Sequence, residues 1–140
     1  VNISYLPALR GLIALQQGKP AEALQKLEAA LSNEFALPGT AFFASFGSLY
    51  PAYVRGQTYL AVKRPVDAAV EFRKITSRRG LVMEDPVDAV ARLQLARALA
   101  ASGDIAGARA AYQDFLTLWT QADTDVPLLK QAQAEAAKLQ

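Results

Sequence analysis

The sequence predicts an all-α protein, a right-handed stack of three helical hairpins sealed by a last helix. Three observations carry this. Apolar residues recur at helical spacing, clearest in Ile105, Ala108, Tyr112, Phe115 and Trp119, whose steps of 3, 4, 3 and 4 make one stripe on an α-helix. The breaks at Gly18, Lys63 and Gly103 share an internal register: Gly11, Gly56 and Ala96 lie seven residues before them. Ala23, Ala68 and Ala108 lie five after, and Leu27, Phe72 and Tyr112 four further on. The small residues fall where two helices must approach closely. The composition agrees: 52% hydrophobic and rich in alanine, with 8 glycines and 7 prolines, too few for a disordered chain.

The elements follow in order. Residues 3–17 read as a helix, ended by Gly18-Lys19-Pro20, where the proline suits the first turn of the next helix. That helix runs from Pro20 to about Ser32 and buries Ala23, Leu24, Leu27, Ala30 and Leu31. Then comes NEFALPGTAFFASFGS, with a turn signal at Pro38-Gly39 and Phe42, Phe43 and Phe46 close together. It is expected to be an elongated connection whose aromatics fold back onto the core, with an exposed partner patch as the alternative.

From Tyr50 the helical pattern resumes and runs to the break at Lys63-Arg64-Pro65. VDAAVEFRKITSR follows with Ala68, Ala69, Phe72 and Ile75 inward, and Gly80 is expected to end it. Asp85-Pro86 opens the next helix, aspartate as N-cap and proline at the first helical position. Its apolar body is Val90, Leu93, Leu95, Ala98 and Leu99. After Trp119 a polar connection carries Asp125 as a second cap. The last helix buries Leu129, Ala132, Ala136 and Leu139 and turns Lys130, Gln131, Gln133 and Glu135 outward, a one-sided helix suited to closing a helical array. The whole, residues 1–140, is one domain, with repeats over 3–33, 49–79 and 86–120 and a capping helix over 125–140. The period is 45 and then 40 residues, and the excess falls in the connections 32–49 and 79–86.

Composition narrows the chemistry. The chain has no cysteine and no histidine, which excludes disulfides and leaves carboxylates as the ordinary metal ligands. The acids Glu84, Asp85, Asp104, Asp123 and Asp125 sit in caps and turns, which explains them. Asp123-Thr124-Asp125 lacks the ordered ligands and glycine of a calcium loop. No phosphate loop occurs, so no catalytic residue, metal or cofactor is expected. No apolar run reaches the roughly 18 residues of a membrane helix. No signal peptide is seen and the chain opens on Val1, so it is expected to be part of a longer protein.

Charge is uneven. Residues 63–79 carry Lys63, Arg64, Arg73, Lys74, Arg78 and Arg79 against Asp67 and Glu71, whereas residues 80–140 are net acidic. One reading is a solvated helix face with cations near its C-terminal end, which the helix dipole favours. The other is a patch for an anionic partner, nucleic acid or lipid head groups.

The hairpin register resembles the tetratricopeptide repeat. More specifically, YPAYVRGQTYLA, EFRKITSRRGLVMEDPVDAVARLQLARALAASGD and ARAAYQDFLTLWTQADTDVPLLKQAQAE resemble the C-terminal repeat region of acidobacterial membrane proteins. These are eukaryotic-type serine/threonine protein kinases and winged-helix regulators. The resemblance implies a tetratricopeptide-like α-α superhelix and a sensory or interaction role in bacterial signalling. It implies an extracytoplasmic location beyond a membrane span; otherwise the protein would be cytoplasmic. It also implies that a catalytic or DNA-reading module would lie outside this chain. Asp114-Phe115-Leu116 falls mid-helix and matches no kinase motif.

In tetratricopeptide arrays the first helices of the hairpins line a concave binding face. Register selects Tyr5, Ala8, Leu12, Leu15 and Gln16; then Tyr50, Tyr53, Gln57, Leu60 and Ala61; then Val90, Leu93, Arg97, Ala100 and Ala101. Family members that hold a chaperone's C-terminal carboxylate use basic and amide side chains where this chain has Ala8, Leu12, Val54, Val90 and Gln94, so that clamp is missing. The residues expected to bind are Tyr5, Gln16, Tyr50, Tyr53, Gln57, Leu60 and Arg97. The expected partner is a protein or peptide. Nucleic acid enters only through the alternative reading of 63–79, and the sequence leaves homo-oligomerisation open.

Overall fold

The computed structural model describes residues 5–34, 49–78, 85–123 and 125–139. Among these the chain is all-helical, with seven α-helices and no strand. They are α1 (Tyr5–Gln16), α2 (Pro20–Glu28), a 3-10 turn at Leu31–Asn33, α3 (Tyr50–Ala61), α4 (Pro65–Thr76), α5 (Val87–Ser102), α6 (Ile105–Leu118) and α7 (Pro127–Ala137). None of them is long and apolar enough to cross a membrane.

The shared register has a shared geometry behind it. Gly18, Lys63 and Gly103 all take positive φ, at 73°, 60° and 87°, the left-handed conformation that ends a helix and reverses the chain. Pro20 and Pro65 then open the second helices, where proline loses no hydrogen bond. The third hairpin instead uses Asp104, whose carboxylate accepts the Gly107 N–H at 2.9 Å. The small residues work as spacing predicts. A Cβ on Gly11 would come within 2.8 Å of Leu27, and one on Gly56 within 2.6 Å of the Phe72 ring. Ala96, the third in register, is fully buried.

Consecutive helices pair as α1 with α2, α3 with α4 and α5 with α6. Each pair also packs on the next: α1 and α2 lie against α3, α3 and α4 against α5, and α7 covers α6. The core has two parts. The larger runs from α3 to α7 and includes Phe72, Ile75, Leu93, Tyr112, Phe115 and Ala132. The smaller joins the first hairpin to α3 through Ala8, Leu27 and Val54.

Several expectations are refined. Ala23, Leu27 and Ala30 are buried, but α2 stops at Glu28 and Leu31 is 48% exposed. Turn bonds from Ala30 N–H to Leu27 O at 3.1 Å and from Glu34 N–H to Leu31 O at 3.4 Å redirect the chain there, and Glu34 is buried. Ile105, the first residue of the α6 stripe, is exposed. Asp85 does cap α5, accepting the Val87 N–H at 3.0 Å. Asp125 does not cap α7; Val126 precedes Pro127 without a side-chain cap. Leu129 and Ala132 are buried as expected, but Glu135 faces inward. The turn at Pro38-Gly39, the cluster Phe42, Phe43 and Phe46, and Gly80 lie outside the described residues.

Candidate binding face

The first helices of the hairpins, α1, α3 and α5, are joined side by side through a line of polar and aromatic side chains. At one end the Tyr5 ring stacks on Tyr50, centroids 6.3 Å apart and planes 25° apart. The Tyr50 hydroxyl donates to Asp85 Oδ1 at 3.3 Å, the oxygen that also caps α5. Burial, then the Asp85 charge, hold the Tyr50 hydroxyl pKa above its ordinary value, so it stays a donor.

Tyr53 comes next, one turn along α3. Its ring meets Phe72 edge-on at 5.8 Å, which fixes its direction. Its hydroxyl accepts from Gln57 Nε2 at 3.3 Å and is hydrogen-bonded to Gln94 of α5. Burial raises its pKa, while Gln94 and the Arg97 charge act in the opposite direction.

Arg97 ends the line. Its Nε and Nη2 donate to the two oxygens of Glu135 on α7, both at 2.8 Å, and Nη2 reaches Gln131 Oε1 at 3.5 Å. Glu135 Oε2 also accepts from the Tyr112 hydroxyl at 2.8 Å. The Arg97 hydrogen bond holds the Glu135 carboxyl below the usual range against the effect of burial, with Tyr112 adding to the drop. Burial, then the bond to Glu135, push the Tyr112 hydroxyl well up.

The structure thus brings Tyr5, Tyr50, Tyr53, Gln57 and Arg97 onto one face. Leu60 is half-buried against the larger core, and Gln16 is exposed at the last residue of α1, with no hydrogen bond to the others. Of the positions compared with the carboxylate clamp, Ala8 and Val54 are core residues and Leu12 packs on them. Asp85, Gln94, Gln131 and Glu135 belong to the line as well. Gln94 had a signal, since register puts it on the same helix face; Glu135 had none, because its pattern read as the outer face of α7.

The basic stretch is dispersed. Arg64 pairs with Asp67 at 2.8 Å and lies over the Tyr59 ring at 4.8 Å. Arg78 donates to the Lys74 carbonyl at 2.9 Å, and Lys63 and Arg73 are exposed. Arg79 lies outside the described residues. Lys74 belongs to a buried ion cluster around Arg55. Arg55 Nε and Nη2 donate to Glu71 Oε2 at 3.1 and 2.8 Å, and Nη2 also donates to Glu34. Lys74 Nζ bonds Glu71 Oε1 at 2.8 Å and Glu34 Oε2 at 3.5 Å. Two cations thus meet two carboxylates, and Arg55 and Glu34 are almost fully buried. The arrangement ties the end of the first hairpin to both helices of the second. No helix of the described residues carries a group of three or more acids able to hold a metal.

Neither a protein-family model, nor a curated protein, nor a solved structure matches the chain.

Proposed function

We propose that this chain is a non-catalytic interaction module, a tetratricopeptide-like superhelix that binds a peptide or protein segment along the face of α1, α3 and α5. The observation that supports this reading is the line Tyr5, Tyr50, Tyr53, Gln57, Gln94 and Arg97, all of it at least partly exposed. Tyrosine offers large contact area with little rotamer entropy to lose, and Gln57 and Gln94 offer amides to an extended backbone. A sensory role outside the cytoplasm, in a bacterial signalling protein, belongs to the same proposal and rests on the sequence resemblance alone.

The Arg97 fork is held by Glu135, so the groove reading uses Arg97 as part of the wall rather than as a free carboxylate receptor. Tyr53 and Gln57 are therefore the clean probes. Peptides selected from a random display library on the full chain should lose about 1–2 kcal/mol of affinity on Tyr53→Ala. Their binding should change little with salt, because no unpaired charge lies on the face. Selected peptides that bind Tyr53→Ala and Gln57→Ala as well as the parent place the site elsewhere. A steep salt dependence lost on Lys63→Ala with Arg73→Ala assigns binding to the basic stretch instead.

A further inference from the structure

The C-terminal end of α4 meets α5 and α6 at a cavity of about 240 Å³, lined by Thr76, Ser77, Arg92, Leu95, Ala111 and Asp114. Ser77 and Asp114 are exposed, so the cavity opens to solvent. With 3.6 residues per turn, Arg92 and Leu95 lie on the side of α5 away from Gln94 and Arg97. A site there is separate from the Tyr53 face and does not depend on the proposed groove. The volume lies below the roughly 300–1,000 Å³ of sites for drug-sized ligands, so only a small molecule fits.

The Arg92 side chain is only 11% exposed. Asp88, one turn earlier, accepts from its Nε at 2.9 Å through Oδ2, and the other Asp88 oxygen is buried without a donor. Asp88 thus holds the guanidinium by Nε alone. Both terminal amino groups are left without a protein acceptor among the described residues. A guanidinium held in this way presents a planar fork that matches a carboxylate. Across the cavity Asp114 of α6 has no ion-pair or hydrogen-bond partner among the described residues. Two opposite charges therefore line one cavity without pairing with each other. The α4 end adds to the negative side. Ser77 Oγ donates to the Arg73 carbonyl at 2.6 Å, which leaves its lone pairs as acceptors, and a helix C-terminus itself favours cations.

We infer that this cavity binds a small aliphatic α-amino acid. The ligand carboxylate takes the two terminal amino groups of Arg92. Its ammonium group lies toward Asp114 and the Ser77 hydroxyl, and its side chain rests on Leu95 and Ala111. A simple anion at Arg92 would meet the Asp114 carboxylate, and a simple cation at Asp114 would meet the guanidinium. A molecule that carries both charges on adjacent groups neutralises both walls at once.

The probe is L-valine, titrated into the full chain at neutral pH and followed by calorimetry. It should bind saturably with Kd below about 1 mM. Isovalerate, which lacks the ammonium, and isobutylamine, which lacks the carboxylate, should each bind at least about tenfold more weakly. Asp114 is exposed, so Asp114→Asn should fold as the parent does. It should weaken valine about tenfold and leave isovalerate no weaker. Arg92→Gln is made together with Asp88→Asn, so that no half-buried charge is left alone. That pair should abolish saturable valine binding, with helicity checked by circular dichroism. No saturation by valine to about 10 mM overturns the inference. Isovalerate or isobutylamine binding as tightly as valine also overturns it, since that leaves a plain anion or cation site. So does valine binding that Asp114→Asn or the folded Arg92 pair leaves unchanged, which puts the ligand elsewhere.

Discussion

Lys63 has φ of 60° at the turn position where the other two hairpins carry glycine. A side chain in that region costs about 1–2 kcal/mol, while glycine there loses more freedom on folding, which takes back about 0.4–1 kcal/mol. Lys63→Gly should therefore stabilise the protein by about 0.5–1 kcal/mol in urea unfolding; a loss of stability would mean that the lysine stem makes a contact of its own. The turn itself was legible in the sequence, because Gly18 and Gly103 mark the same register. Arg55 was not. Its partners lie 16 and 21 residues away, and its register mates are Arg10 and Leu95, one basic and one apolar. No local pattern separates a buried arginine from a solvated one when its counter-charges come from other helices. For the same reason Lys74 read as part of a surface stripe rather than of a neutral cluster.

Helices are the scale at which sequence was most informative. Apolar spacing placed every helix among the described residues, and Gly11 and Gly56 sit against Leu27 and Phe72 as small residues at a helix crossing must. The last helix shows the limit. Periodicity located Leu129 and Ala132 inside, but Glu135 also turns inward because Arg97 and Tyr112 neutralise and solvate it. That docking is pH-dependent. The Glu135 pKa is lowered on folding, so its contribution is complete above the ordinary glutamate value and fades as pH falls through the lowered one. Tyr112 is raised, so its contribution is complete below the ordinary tyrosine value and fades as pH climbs above it. Trp119, the only tryptophan, packs on Phe115 at 5.6 Å at the end of α6, the helix that α7 covers. Its fluorescence should report loosening of α7 in acid before global unfolding, and Glu135→Gln should remove that step. An acid transition identical in parent and variant would show that Glu135 does not hold the helix.

Over the whole molecule, stability is uneven. The second and third hairpins and α7 share one continuous apolar cluster, whereas the first hairpin is joined by a small one around Ala8, Leu27 and Val54. Arrays that contact only their neighbours open from their weaker end. Amide hydrogen exchange should accordingly be faster in α1 and α2 than in α5 and α6, by an opening free energy lower by about 1–3 kcal/mol. Equal protection across the chain would show a single cooperative unit. The order of the helices and their pairing into hairpins were readable from spacing. How the cores divide was not, since alanine-rich stripes look alike whether they meet a large cluster or a small one.

The buried Arg55 cluster has a mechanical consequence. A load drawn between the two ends of the chain is carried from the first hairpin into the second through Glu34, Arg55, Glu71 and Lys74 as well as through the small apolar contact. Arg55 and its two carboxylates, buried from water with Lys74 at the partly exposed edge, behave as a clasp whose inner pairs salt screens little. Once it parts, residues 5–34 pay out roughly 100 Å of slack while the later hairpins stay folded. Such a chain yields in steps under tension, and the height of the first step is set by four charged side chains.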